Sequence, residues 1–350
     1  MSGKVIQIAG GSEHSLALLD DGTVRGWGLN DDGQREDQNF LTKGKRVIQI
    51  ACGAAYSLVL LDDGTVKGFG NNSNNKREDQ NFLSEGKKVI QIACGEDHSL
   101  ALLDDGTVKG WGWHYQKRRD DKNFLAEGKK VIQIACGSSH SLALLDDGTV
   151  RGWGPNAFGK SNNQNFLAEG KKVIQIAGGG QHSLALLDDG TVRGWGLNGG
   201  GQTNKQNFLA EGKKVIQIGC GNSHSIALLD DGTVRNWGNN DDESIKKSHN
   251  FFVEGKKVVK IACGYNHSLA ILDDGTVCGW GNNSLGQADS QYFLLPIKNV
   301  QVPKVPIEPP LLSISIMPSL VNNQESGIYG GYKEKYLKYK QKYLQLKSNN

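Results

Sequence analysis

The residues best suited to chemistry in this chain stand together in one phrase. HSLALLDDGTVRGWG occurs unchanged at 14–28, 140–154 and 182–196, and with small changes four more times. It offers a serine beside a histidine, a pair of carboxylates and an indole. A Ser–His pair suggests a nucleophile and its base, but adjacent strand residues such as His14 and Ser15 point to opposite faces. Asp20, Asp21 and Gly22 suggest a calcium loop. Such loops space their carboxylates as D-x-D-x-D-G, whereas Asp before a hairpin glycine caps its own turn. His14, His98, His140, His182, His224 and His267 suggest a ring of metal ligands. Ligands must converge on one ion, however, and these fall one per unit, with Tyr56 in the remaining place. The phrase is therefore expected to hold no catalytic residue, metal site or cofactor. Its histidines are expected to hydrogen-bond at the start of an inner strand and lock neighbouring units together.

What positions these residues is a repeat. VIQIA or a variant begins at Val5, Val47, Val89, Val131, Val173, Val215 and Val258, a period of 42 residues with one extra before the last copy. Such a period without helical spacing suits propeller blades of four strands. Each unit parses as VIQIA, HSLALL, TVRGWG and a short NFL strand, with DDG and EGKK as turns. Asp-Gly between apolar runs is a strong hairpin signal, because glycine accepts positive φ. Trp27, Trp111, Trp153, Trp195, Trp237 and Trp280, with Phe69 in unit two, share one register and read as packing between blades. Cys52, Cys94, Cys136, Cys220 and Cys263 share another, and Cys278 stands apart. Equivalent places in successive units lie too far apart to bridge, so buried free thiols are expected.

The order G-x-x-H-S-L-A-L, D-G-x-V, W-G-x-N, G-Q resembles the repeat of the regulator of chromosome condensation family, most closely in GYNHSLAILDDGTVCGWGNNSLGQ at 264–287. The resemblance spans residues 4 to 287 and implies an all-β, seven-bladed β-propeller. In that family a terminal strand completes the last blade, and residues 5–9 and 300–302 are both candidates. The family also implies a guanine nucleotide exchange factor for a Ran-like small GTPase, or a substrate-recognition module linked to ubiquitination. No inserted wedge is visible between blades, and no catalytic or zinc-binding segment is attached. The expected function is thus a non-enzymatic protein–protein interaction scaffold, with the other two as alternatives.

The net charge of +3 sits in the tail: segment 333–347 holds six Lys against one Glu. A near-neutral propeller argues against nucleic acid as partner. No apolar run is long enough to span a bilayer, and MSGKVIQIAGG lacks the regions of a signal peptide, so an intracellular address is expected. Three segments are expected: the propeller at 1–302, a Pro-containing linker at 303–328 and a basic amphipathic helix at 329–350. Tyr332, Tyr336, Tyr339, Tyr343 and Leu346 fall at alternating spacings of 4 and 3, a seam that would dock on a helix or an acidic surface. YGGYKEKYLKYKQKYLQLK resembles C-terminal tails on proteins of giant DNA viruses of amoebae. That resemblance implies a shared docking element on a viral chain, located in host cytoplasm, nucleus or virion.

Strand direction sorts the connections. C-G-x-x and the stretch after WG fall on one face, and the DDG and EGKK turns fall on the other. All the variety between units lies on the first face, where propellers bind through loops on a rigid frame. Three places stand out there. Unit three has Glu96 and Asp97 before His98, then Trp113, His114, Tyr115, Arg118 and Arg119 after WG, residue types enriched in interface hot spots. Unit seven has Tyr265 and Asn266, and unit six the loop NNDDESIKKSH at 239–249. A protein partner, a small GTPase or a host factor, is expected to bind through these residues.

Overall fold

Each repeat folds into a three-stranded antiparallel sheet, seven in all. The computed structural model describes residues 3–40, 44–113, 120–238, 255–291 and 293, all within the unit Met1–Pro296. The unit Ile297–Asn350, with the linker and the tyrosine seam at 332–346, lies outside the described residues. In the first blade β1 (Val5–Gly10) pairs with β2 (His14–Leu19), which pairs with β3 (Val24–Gly28). The β2–β3 hairpin turns at Gly22, φ +87°. There the Asp21 carboxylate accepts from Thr23 N at 2.9 Å and Thr23 Oγ1 at 2.7 Å. The second carboxylate of the pair caps its own turn, as the spacing predicts, while Asp20 accepts from Lys4 N.

The expected fourth strand shrinks to one bridge, Val24 to Gln38, with equivalents in five other blades. NFL does not extend it. Asn81 accepts from Leu83 N at 3.0 Å, and this side-chain bond turns the chain into the 3-10 stretch Leu83–Glu85, stopped by Gly86. Leu125–Glu127, Leu167–Glu169 and Leu209–Glu211 repeat the turn. The Phe between then packs on the core, as Phe82 does.

The innermost strands are the VIQIA strands, not HSLALL as the sequence predicts. Val5–Gly10, Val47–Cys52 and their equivalents each neighbour the next, and Val258–Cys263 returns to Val5–Gly10. Among the described residues the ring closes without strand exchange. Blade seven is complete in itself, with Val258–Cys263, His267–Leu272, Val277–Gly281 and the bridge Val277 to Gln291. Residues 5–9 belong to blade one, and 300–302 lie outside the described residues.

The core is divided among seven interfaces between blades. Leu16, Leu18 and Val24 of blade one meet Val47, Ile50, Val59, Leu61 and Phe69 of blade two. Leu269, Ile271 and Val277 of blade seven meet Val5, Ile8, Ala17, Leu19 and Trp27 of blade one, which closes the circle. Thus alternate residues of HSLALL serve alternate neighbours, and the middle strand is buried on both faces.

VIQIA departs from simple alternation. The ladder pairs Val5 with Leu19 and Gln7 with Leu18, leaving Ile6 as an extra residue, and every blade repeats the shift. A bulge re-aims a side chain. Val5 and Ile8 both go to the core, while Ile6 and its equivalents turn out of it, and Ile6, Ile48, Ile174, Ile216 and Val259 line the central channel.

The next residue ties neighbouring blades together. Gln7 donates Nε2 to Ile50 O at 3.0 Å and accepts from Ile50 N at 3.0 Å. Gln49, Gln91, Gln175 and Gln217 make the same two bonds onward. At the closing seam Lys260 stands in this place and donates to Ile6 O at 2.5 Å. An ammonium donates only, and this one reaches Ile6 O rather than Ile8 O, the carbonyl equivalent to Ile50 O, so the two-bond clamp is not formed there. Lys260→Gln is expected to restore it and raise stability by about 1 kcal/mol. A urea midpoint no higher than that of the parent would contradict this.

Candidate functional site

The repeated phrase is a lock. His14 Nε2 lies 2.8 Å from Ser57 Oγ in the next blade. His98–Ser141, His140–Ser183, His182–Ser225, His224–Ser268 and His267–Ser15 continue at 2.7–3.0 Å. Tyr56 takes the same place, its hydroxyl 2.9 Å from Ser99 Oγ. Every partner in this chain of seven pairs is buried. A Ser–His pair therefore does exist, but between blades and with the wrong polarity for a nucleophile. Ser57 Oγ donates to Gln34 O at 2.8 Å and Ser15 Oγ to Gln287 O at 2.8 Å, so each accepts from its histidine. The imidazoles are neutral and carry the proton on Nε2. Burial drives them down: His14, His224 and His267 to about 3, His182 to about 4, and His140 well below its usual value.

The face bearing the DDG turns is uniform. Six ion pairs of one kind line it, Lys45–Asp63, Lys87–Asp105, Lys129–Asp147, Lys171–Asp189, Lys213–Asp231 and Lys256–Asp274, at 2.5–2.9 Å. These half-exposed pairs close the turns of their own blades.

The opposite face carries the variety. Leu29 N donates to Glu13 O, Trp113 N to Asp97 O and Asn282 N to Asn266 O, each at 2.8 Å, so the stretch after WG folds beside the pair before His. The first residue of each pair rings the channel mouth: Ser12, Ala54, Glu96, Ser138, Gly180, Asn222 and Tyr265. Backbone bonds stitch this ring, including Glu96 N to Ser138 O at 3.1 Å, Asn222 N to Tyr265 O at 2.8 Å and Tyr265 N to Gly11 O at 2.9 Å. The mouth is a narrow cavity of about 140 Å³. Cys52, Cys94, Cys136, Cys220 and Cys263 line it as free cysteines, half-buried as residues with the thiols themselves withdrawn from solvent. Burial pushes Cys52 and Cys263 up to about 12 despite hydrogen bonds to Ser57 and Ser268.

The residues singled out from the sequence take three positions. Glu96 and Tyr265 come together at the mouth, and burial followed by the Glu96 charge raises the Tyr265 phenol. Trp113 stands exposed, 46 % of its surface open, and Tyr265 is 39 % open. Asp97 turns inward instead, pairing at 2.8 Å with Lys76, whose ammonium also lies 5.5 Å from the Tyr56 ring. Asn266 is half-buried against the following loop. His114, Tyr115, Arg118 and Arg119 lie outside the described residues, as does the unit-six loop. Two features escaped the sequence reading. The mouth ring was hidden because its members vary between units and share no residue type that marks the position. Lys76 and Lys160, buried where other blades hold Gln34, Gln202 and Gln287, were readable as departures from G-Q.

Among the described residues no helix is long and apolar enough to cross a membrane.

Comparison with known proteins agrees with this geometry. No curated protein sequence matches the chain. The structure is similar to Prp20p from Saccharomyces cerevisiae, described with its binding to Gsp1p and histones: TM-score 0.64, 22 % identity, 76 % of this chain and 82 % of that one. Human WBSCR16 is similar at TM-score 0.64 and 25 % identity, covering 78 % of this chain and 87 % of the other. The CRINKLY WD40 ectodomain of the Arabidopsis thaliana receptor kinase ACR4 follows at TM-score 0.63 and 17 % identity, covering 83 % and 99 %. An ectodomain sharing the fold shows that the fold does not set the compartment. The regulator of chromosome condensation (RCC1) repeat matches residues 5–34, 47–76, 89–116, 131–160, 173–202, 215–243 and 258–287. With seven such repeats closing one ring of locked blades, the chain belongs to the RCC1 repeat family.

Proposed function

We propose that the chain is a non-enzymatic scaffold that captures a protein partner on its variable face. One observation carries this reading. The non-repeated residues gather on one side of a rigid ring, where Glu96 and Tyr265 share the mouth and exposed Trp113 stands on the loop beside them. Aromatic residues of this kind anchor interfaces, and the backbone ring beneath them removes much of the ordering cost. Arg118 and Arg119 extend the contact in sequence, and the basic tail, with the viral resemblance it carries, supplies a second docking element.

Trp113→Ala with Tyr265→Ala is the test. Each truncation is expected to weaken capture about thirtyfold, the size of a hot spot, with the melting temperature unchanged. An affinity pull-down read by mass spectrometry identifies the partner, and titration with that partner gives the loss. Capture unchanged in the double variant excludes this site.

A second reading is favoured by the likeness to Prp20p, whose structure is described with binding to Gsp1p. On that reading the face releases guanine nucleotide from a Ran-like small GTPase. A nucleotide-release assay over a panel of small GTPases separates the two. Recognition of substrates for ubiquitination is the third reading and predicts ligase subunits in the same pull-down.

A further inference from the structure

The end of the channel away from the variable face is built differently. Ile6, Ile48, Ile174, Ile216 and Val259 line a cavity of about 720 Å³. The bulge in each innermost strand turns these side chains out of the core, and all are between 38 % and 54 % exposed. The cavity falls in the size range of small-molecule sites, which are mostly apolar with few polar groups. Its glutamines are already committed to the clamps between blades, as Gln7 is to Ile50 and Gln175 to Ile218. Lys260 is the one charged residue among the described residues that line it. Its ammonium has three donors, and Ile6 O takes one of them. Five blades thus offer an aliphatic wall, and the last of them, which gives Val259, also offers a cation at its edge.

We propose that this end of the channel binds an aliphatic chain ending in a carboxylate, a fatty-acid-type ligand. The chain lies against the isoleucine collar and the carboxylate meets Lys260. The wall's glutamine amides are spent on backbone of the neighbouring blades, which leaves its isoleucines to meet methylenes. The single positive charge has no acidic neighbour in the lining, which suits one anionic head. Nothing in this site overlaps the variable face, so the two bind independently.

Dodecanoate, below its micelle concentration, is the probe, displacing a fluorescent polyene carboxylate from the full chain. The expected result is saturable binding that weakens about fourfold for each methylene removed. Dodecanol, with the same tail and no charge, is expected to bind at least tenfold more weakly than dodecanoate. Lys260→Gln should abolish that difference while keeping the fold, since glutamine is the residue of the other six blades. Ile48→Ser with Ile174→Ser should weaken both ligands alike, with circular dichroism unchanged. Equal dodecanoate affinity in the parent and Lys260→Gln overturns the proposal, as does absence of saturable binding. An apolar peptide with a free C-terminal carboxylate that binds more tightly than dodecanoate also overturns it and assigns the site to a protein end.

Discussion

Between pH 6.5 and pH 4 the ring is expected to lose most of its stability and unfold cooperatively. His14, His182, His224 and His267 remain neutral in the fold down to about pH 3–4, held there by burial. In the unfolded chain they take up protons below about 6.5. The unfolded state therefore binds more protons throughout this window, and stability falls as pH falls. It is fully present above 6.5. Each buried imidazole costs about 1.4 kcal/mol per pH unit below that point, so these four remove about 8 kcal/mol at pH 5. A domain is stable by about 5–15 kcal/mol, so this loss rivals the whole. The carboxylates act later. Partial burial alone would raise Asp63, but its bonds from Lys45 and Thr65 outweigh it and hold the group at about 2; Asp105 and Asp147 are alike. Their contribution disappears only as pH falls from about 4 towards 2. Urea denaturation at pH 7, 6 and 5 checks the order of events, and stability that is flat over that range would refute the histidine account. His267→Tyr, which copies the place of Tyr56, should reduce the pH slope by about one proton.

The second large effect is at the glycine before each lock. A Cβ on Gly137 would lie 2.1 Å from His140 Cε1 and 2.5 Å from Gly179 O in the next blade. Neither can retreat, because the ring is wedged between blades and the carbonyl is backbone. Gly137→Ala is expected to cost about 3 kcal/mol, the upper range for overpacking. Gly170 is the control. It sits at φ +70° in a turn with nothing within 4 Å, so alanine there meets only backbone strain, about 1 kcal/mol. Thermal or urea unfolding of the two variants decides between steric and conformational origins. A Gly137 variant no less stable than the Gly170 one would show that the lock has room to yield.

The repeat itself was legible from spacing, and so were the hairpins, because Asp21 and Gly22 act on residues within one turn. The role of the histidines was legible too, since seven units with one Tyr cannot describe a metal set. The fourth strand was misread for a local reason: Asn81 bends the chain before Phe82 by a side-chain bond that apolar patterning does not reveal. Among the candidate residues, Glu96 and Tyr265 meet at one channel mouth, whereas Asp97, expected beside them, pairs with Lys76.

The sequence alone determined most of the blade: its first three strands, the hairpin between the second and third, the period, and which residues vary. Those properties follow from interactions within about forty residues and from simple counting. The tertiary structure decided what each blade meets. The partner of His14 is a serine 43 residues on, and that of His267 is Ser15, 252 residues back. Whether Ile6 faces core or channel depends on a bulge set by pairing with Leu18 and Leu19, not by its own pattern. The mouth that joins Glu96 to Tyr265 exists only because seven units curve into one closed ring. Curvature arises from packing between sheets, and no single repeat contains it.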